Sequence, residues 1–304
     1  MPAPLAQIAA SVLPEPETVV RILTTCSLGG LLLAVGLRLR GSEVLAALRS
    51  CRVAGIAFAN FFLVPALALA IARTASLSPD RTVGMLLLAA APFAPVVPVF
   101  ARMARADLAL AAGLTSFFPM LCAVLTPVVL HLGLLYVSSA PGIQFRPGVV
   151  LGILVATITL PLALGVALNH LWPALRWRLL RPLEMAAEAM GAMSLLFITV
   201  VEFQNIIDTP WESLLTMVVF IEASFLLGYA LGGPVPGRRL VIALGTSNRN
   251  IALALLVALD SFSGTPIPGV VVTIGLLLIF SGLMHVGYYR FFGFGATVAA
   301  PERT

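Results

Sequence analysis

The sequence has no lysine and little charge of either sign. Only 10% of its 304 residues are charged, all 18 residues in the Lys-plus-Arg count are arginine, and 60% of the chain is hydrophobic. Soluble domains are about 25% charged and about 45–50% apolar, and water does not tolerate so much apolar surface. The composition therefore excludes a soluble globular protein and predicts an all-α polytopic membrane protein. The long apolar runs also exclude a transmembrane β-barrel, whose short strands alternate.

Signatures of chemistry are missing as well. The three cysteines, Cys26, Cys51 and Cys122, form neither a metal motif nor a disulfide pattern. The sequence contains no phosphate loop, nucleophile elbow or acid–base pair at catalytic spacing. We therefore expect no enzyme, no cofactor and no resident metal. The net charge of +5 comes from arginines between apolar runs, so we expect no nucleic-acid partner.

Nine segments are long and apolar enough to cross a bilayer, which requires roughly 20 residues per helix. The connecting loops are short, so residues 1–304 are predicted to form one transmembrane domain. The predicted spans cover residues 18–38, 52–73, 82–103, 107–136, 148–171, 183–207, 211–233, 238–260 and 267–290.

The arginines indicate a direction of insertion. Counted over alternate loops, thirteen arginines fall on one side of the predicted membrane and four on the other. Positive charge stays in the cytoplasm. We expect a multi-pass protein of a bacterial inner membrane, with its N-terminus outside and its C-terminus in the cytoplasm. No signal peptide is predicted, because residues 1–17 hold two glutamates and no basic residue.

Two of the nine spans cannot be ordinary helices. The third contains Pro92, Pro95 and Pro98, and prolines remove backbone donors. The eighth contains the polar run Gly245-Thr246-Ser247-Asn248-Arg249-Asn250 in an apolar surrounding. Interrupted helices at corresponding positions of two halves indicate the substrate site of a transporter. The alternative is that the prolines only kink the third span and the polar run only packs helices.

These segments resemble the bile acid:sodium symporter family, within the bile/arsenite/riboflavin transporter group. Pro92 and Asp107-Leu108-Ala109-Leu110 are similar to the first family crossover and its downstream signature. Asn250 followed by Ile251-Ala252-Leu253-Ala254-Leu255 is similar to the second crossover. Two shorter segments, Asn60-Phe61-Phe62 with Pro65 and Val35-Gly36-Leu37, echo further family motifs.

The resemblance implies an inverted-repeat transporter fold in which two unwound helices cross near the midplane. It also implies that the first family helix is missing, which gives nine spans instead of ten. Spans 18–38, 148–171 and 183–207 would form a panel, and residues 52–136 and 211–290 would form the core. Alternating access would move the core against the panel.

Most of the sodium ligands that the resemblance implies are absent. By position, the family's serine and asparagine of the first crossover become Val97 and Pro98, and the serine of the next helix becomes Ala111. The glutamate and glutamine of the second crossover become Gly245 and Arg249. Sodium needs oxygen ligands and is repelled by a neighbouring cation, so we expect the sodium sites to be degraded. The residual sodium-site positions are Asn60, Thr115, Thr246 and Asn250.

Arg249 leads to two competing hypotheses. It lies at midspan, as does Glu222 in the preceding span, so the two side chains could form a structural ion pair. Alternatively, Arg249 faces a cavity and binds an anionic substrate, because its planar fork suits carboxylates. The full set of candidate substrate-binding residues is Asn60, Pro95, Pro98, Thr115, Glu222, Thr246, Ser247, Asn248, Arg249 and Asn250.

The sequence therefore predicts a membrane transporter of a small organic anion that works by alternating access. Its expected partners are that small molecule and the lipid bilayer, whereas sodium dependence and oligomeric state stay open. Two alternatives remain: an auxin-carrier-like or uncoupled exporter, and a membrane sensor that kept the fold without transporting.

Overall fold

The structure is a computed structural model that describes residues 15–39, 49, 52–137 and 145–292. Every regular element in these ranges is helical. We number the helices α1 Pro16–Arg38, α2 Val53–Thr74, α3 Pro79–Ala89, α4 Val97–Met103, α5 Leu108–Val137, α6 Pro147–Leu171, α7 Pro173–Val201, α8 Phe203–Ile207, α9 Trp211–Leu231, α10 Pro236–Ser247, α11 Ile251–Ser261 and α12 Ile267–Phe291.

Proline shapes these helices in two ways. Five of them, α1, α3, α6, α7 and α10, begin with proline, whose missing N–H is not needed in a first helical turn. Inside α2 and α6, Pro65 and Pro161 each follow a π-helical turn, Ala59–Leu63 and Val155–Thr159 respectively. A wider turn accommodates the proline ring and the lost donor without ending the helix.

Eight segments in the described residues are long and apolar enough to cross a membrane, if the broken pair α10 and α11 is counted as one of them. The prediction of an all-α polytopic membrane protein is confirmed, whereas the count of nine is not. The remaining predicted span, 82–103, is divided into the short helices α3 and α4.

Helix α7 begins earlier than the span predicted from the sequence. The sequence places residues 173–182 in a loop before the sixth span, but α7 already begins at Pro173. Its first turns carry Arg176, Arg178 and Arg181. Hydropathy detects only the apolar part of a helix, so it misses turns that continue beyond the apolar stretch.

Small residues bring α1 close to α6 and α7. Gly36 and Gly165 face each other so closely that a Cβ on either would overlap the backbone of the other helix. A Cβ on Gly191 would lie 2.6 Å from the Ser27 hydroxyl. Small residues are typical of helix contacts in membranes, because they let backbones approach.

The other long helices surround the broken pair α10 and α11. In the most apolar part of this pair 89% of the residues are buried, whereas in the most apolar part of α7 only 17% are buried. α10 packs on α9, α4 and α5, and α11 packs on α12, α3 and α1. The polar run of the sequence therefore lies at the centre of the protein.

Candidate functional site

The chain unwinds between α3 and α4, as the three prolines predicted. Helix α3 ends at Ala89 and α4 begins at Val97. Two carbonyls freed by this break find new donors: Thr126 Oγ1 of α5 donates to Ala90 O at 2.7 Å, and Asn250 N donates to Ala91 O at 2.8 Å. Satisfied backbone groups are what allow a break at membrane depth.

A second break separates α10 from α11 at the polar run. Helix α10 ends at Ser247, and α11 begins at Ile251. The Asn250 side chain caps α11, because its Oδ1 accepts a hydrogen bond from Leu253 N at 3.1 Å. Asparagine is among the preferred N-caps, so this residue both ends the unwound segment and starts the next helix.

The two unwound segments cross and are joined through their backbones. Phe93 N donates to Gly245 O at 3.2 Å, and Ala94 N donates to Asn248 O at 3.1 Å. Phe93 has φ +59°, which is rare for a bulky side chain and is found at sites that the surroundings hold in place. Here its ring stacks on Phe118, with centroids 4.1 Å apart, and covers Gly245 so closely that a Cβ there would overlap the ring.

Arg249 is buried at this crossing without a partner. The residue is 1% exposed, and Nε, Nη1 and Nη2 form no hydrogen bond with any described residue. A buried charge without a partner lowers the stability of the fold by roughly several kcal/mol. Charges within a membrane are rarely present without a role. The crossing therefore holds a positive charge that the described part of the chain does not compensate.

A cavity of about 290 Å³ lies beside the crossing, bounded by α1, α7, α11 and α12. Residues of both unwound segments contribute to its wall. The polar lining residues are Thr24, Ser27, Ser194, Asn248, Arg249 and Asn250. Its larger apolar lining residues are Leu28, Leu31, Phe100, Leu195, Ile251, Leu255, Leu278 and Ile279. The arrangement suits a mainly apolar molecule with one charged or polar end.

Four of the ten predicted site residues line this cavity: Pro95, Asn248, Arg249 and Asn250. Thr246 and Ser247 are buried in the last turn of α10, and Pro98 lies in the first turn of α4. These three residues belong to the crossing and do not line the cavity.

Asn60 and Thr115 lie away from the cavity. Asn60 Nδ2 donates to Thr246 Oγ1 at 3.2 Å, which brings together two of the four residual sodium-site positions. Asn60 Oδ1 and Thr115 Oγ1 are both buried without a hydrogen-bond partner among the described residues.

The predicted ion pair between Arg249 and Glu222 is not formed. Glu222 instead accepts a hydrogen bond from Ser281 Oγ at 2.7 Å and lies 3.0 Å from His285 Nε2, both on α12. Equal depth in two spans does not fix how each helix is rotated, and this rotation decides which helix a side chain faces.

The hydroxyls that α1 and α7 contribute to the cavity were not predicted from the sequence. Thr24 Oγ1 and Ser194 Oγ lie 2.6 Å apart, and Ser27 Oγ donates to Ala187 O at 2.8 Å. Single hydroxyls in apolar spans commonly bond to a backbone carbonyl, so they carry little signal by themselves. The nearby small residues Gly30 and Gly191, which mark the contact face of these helices, could have located them.

Comparison with known proteins supports the resemblance of the sequence to a transporter family. None of the curated proteins compared with the chain matches it. The model of the SBF-like CPA transporter family (DUF4137) matches residues 5–243. The match includes the first unwound segment and ends within α10, before Arg249. Since it covers well over half of the 304 residues, the chain belongs to the SBF-like CPA transporter family, a group of membrane transporters within the bile acid:sodium symporter/CPA superfamily.

Proposed function

We propose that the chain moves a small organic anion across the membrane by alternating access, with Arg249 as the positive charge of the substrate site. The observation that carries the proposal is the buried guanidinium without a partner at the wall of a cavity. An anionic group would supply the missing hydrogen bonds and neutralise the charge. In the present conformation the guanidinium is enclosed, so binding would require it to turn toward the cavity.

The residues near the crossing favour a fixed charge over bound sodium. Val97, Pro98, Ala111 and Gly245 stand where the family resemblance implies oxygen ligands, and the Phe93 ring occupies the space beside Gly245. Asn60, Thr115 and Thr246 still offer oxygens, but no buried carboxylate accompanies them among the residues that the structure describes. We infer that the family-type sodium sites are degraded and that Arg249 supplies internally the charge that sodium supplies in relatives.

The cavity lining suggests the shape of the substrate. Leucine, isoleucine and phenylalanine side chains cover most of the wall, and three hydroxyls come from α1 and α7. We infer an amphipathic anion whose apolar part lies against Leu28, Leu195 and Leu278. A pocket that is mainly apolar with a few placed polar groups is typical of such recognition.

The moving parts of this proposal are the two groups of helices that meet at the cavity. Helices α1, α6 and α7 pack on one another, and we infer that they form the panel against which the rest of the protein moves. The arginine bias favours a bacterial inner membrane with the N-terminus outside.

A thermal-shift screen of the purified protein against small organic anions tests the proposal. It would run at equal ionic strength in sodium and in potassium, with the wild type, Arg249→Gln and the control Arg73→Gln. Arg73 donates to the Tyr136 hydroxyl at an exposed site, so its loss should leave binding unchanged. A ligand at 100 times its dissociation constant adds about 2.7 kcal/mol of stability.

Each outcome of the screen has a definite meaning. Stabilisation in both salts that Arg249→Gln abolishes supports the proposed site. Stabilisation only in sodium contradicts the degraded sodium sites, and stabilisation that survives Arg249→Gln contradicts the role of the arginine. Binding without flux into liposomes would favour the sensor alternative.

A further inference from the structure

A second cluster of polar side chains lies between α9 and α12, outside the cavity lining. Ser281 Oγ lies 2.7 Å from Glu222 Oε1, Glu222 Oε2 lies 3.0 Å from His285 Nε2, and His285 Nδ1 lies 3.3 Å from Ser281 Oγ. The three side chains therefore form a closed ring of three contacts at hydrogen-bond distance. Neither the sodium positions nor the substrate proposal uses this ring.

Counting protons shows what the ring requires. Three hydrogen bonds need three protons, and the Ser281 hydroxyl supplies one. An ionised Glu222 with a neutral His285 supplies only one more, so one contact would lack a proton. With one additional proton, either on the imidazole or on the carboxyl group, all three contacts become hydrogen bonds.

The ring lies within two membrane-spanning helices. Glu222 is the twelfth of the 21 residues in α9, and His285 lies in α12 with its ring stacked on Phe225 at 3.7 Å. The side chains of Glu222 and His285 are 41% and 17% exposed. A carboxylate facing hydrocarbon is costly unless it is paired or neutral, and either form of the protonated ring avoids an unpaired charge.

The other charged groups on the helices packed against α9 and α12 mostly have other contacts or lie near helix ends. The exceptions are Glu188, which is exposed midway along α7, and Arg249, which is buried at the crossing; Arg176, Arg178 and Arg181 lie in the first turns of α7. Tyr229 lies one turn after Phe225 in α9, and Arg239 of α10 lies over its ring. Arg238 contacts Asp107. Further contacts join Arg73 to Tyr136, Glu184 to Arg38, and Glu202 to Asn205. Those near helix ends are Asp80, Arg81, Arg102, Glu212, Asp260 and Arg290. Among the described residues, Glu222 and His285 make polar contacts with one another and with Ser281.

Helix α12 connects the ring to the cavity. Ser281 and His285 face α9, whereas Leu278 and Ile279 line the cavity. A Cβ on Gly282, the residue after Ser281, would lie 2.8 Å from Asn248 Oδ1 at the crossing. Ser281 therefore lies in a turn of helix that touches both the cavity and the second unwound segment.

We propose that Glu222, Ser281 and His285 form a proton-binding site, and that its protonation is coupled through α12 to the cavity. The second part of this inference rests on the proposed transport function, whereas the first part does not. A proton taken up at this ring would give the chain a coupling ion in place of sodium.

Thermal unfolding as a function of pH tests the proton site without any substrate. If the folded ring holds the additional proton, the site adds stability at low pH that is lost as pH rises. We expect the wild type to lose stability relative to Glu222→Gln between about pH 5 and pH 8, with the ratio of unfolding constants changing by up to about tenfold per pH unit for one proton.

Matched variants keep this test decisive. Glu212→Gln, at an exposed position of the same helix, should retain the pH dependence of the wild type. His285→Gln should remove it, and Ser281→Ala should shift it while keeping the direct contact of Glu222 with His285. If the wild type and Glu222→Gln change in parallel with pH, or if Glu212→Gln has the larger effect, the proposal is wrong.

Labelling of an engineered cysteine tests the coupling. Ile279→Cys would be combined with Cys26→Ser and Cys51→Ser, leaving the buried Cys122 in place. We expect the ratio of maleimide labelling rates with and without Glu222→Gln to change severalfold across the same pH range, since both proteins share the intrinsic pH dependence of the thiol. A constant ratio would overturn the coupling.

The two proposals can fail separately. A difference in pH dependence between the wild type and Glu222→Gln, without any anion binding, would support the proton site and contradict the proposed substrate class. Anion binding that depends on Arg249, without such a difference, would support the substrate site and contradict the proton site.

Discussion

The two unwound segments meet at one crossing but contribute different things to it. Residues 91–96 are alanine, proline, phenylalanine and valine, so their contribution is a shape and a set of backbone groups. The second segment brings Asn248, Arg249 and Asn250, all at most 3% exposed. In this protein one segment builds the crossing, and the other supplies the charge.

This difference explains how the break in each helix is stabilised. The first segment depends on other elements for its hydrogen bonds, as in the contact of Thr126 with Ala90 O. The second segment provides its own cap through Asn250. Substitutions of residues in other helices should therefore destabilise the first segment, whereas the second segment should be most sensitive to substitutions of its own residues.

The largest expected effect is at the contact between the segments. Gly245→Ala would place a methyl group against the Phe93 ring, which is held by Phe118. We expect a loss of about 3 kcal/mol or more in the free energy of unfolding, measured by thermal unfolding of the purified protein. Gly152→Ala is the control, because a Cβ there meets nothing within 4 Å. A second change, Phe93→Leu, should recover part of the loss; full tolerance of Gly245→Ala would show that the segments do not pack as described.

Removal of the Arg249 charge should have the opposite effect on stability. Arg249→Gln takes away a buried cation without leaving a described partner unpaired, so the unfolding midpoint should stay constant or rise. Arg249→Lys keeps the charge and serves as the comparison. A large fall in stability with Arg249→Gln and not with Arg249→Lys would indicate that the charge holds the crossing together.

Loss of the hydrogen bond from Thr126 of α5 to the first segment should have a smaller effect on stability. Thr126→Val removes the donor to Ala90 O and leaves a buried carbonyl unsatisfied, at a cost of about 2 kcal/mol. Ser116→Ala on the same helix is the control, because Ser116 is only partly buried and its hydroxyl donates to Ala112 O within α5. Equal effects of the two changes would mean that the first segment does not depend on this contact.

The cap of the second segment should give the smallest effect. Asn250→Ala should cost about 1 kcal/mol of stability, and Asn250→Ser, which keeps a capping oxygen, should cost less. Hydrogen exchange at the first turn of α11 would locate the change. No difference between alanine and serine would show that the cap is not needed.

Local signals in the sequence predicted the breaks, but pairings between helices were beyond them. Prolines 92, 95 and 98 and the polar run at 245–250 disrupt helices by themselves, so their effect could be read without a fold. The partner of Glu222 depends on the rotation of α9 against α12, and hydropathy does not encode that rotation. Ser281 and His285 therefore gave no sign of a shared site, and the hydroxyls of Thr24 and Ser194 gave none of the cavity.

The most direct measurement compares unfolding midpoints of the substrate-free wild type in sodium, potassium and N-methylglucamine chloride at equal ionic strength. A fixed charge at Arg249 in place of bound sodium predicts the same midpoint in all three salts, for the wild type and for the control Arg73→Gln alike. A midpoint that rises with sodium alone, in proportion to the logarithm of its concentration, would show that a sodium site persists beside the arginine and would contradict the proposed role of the second segment.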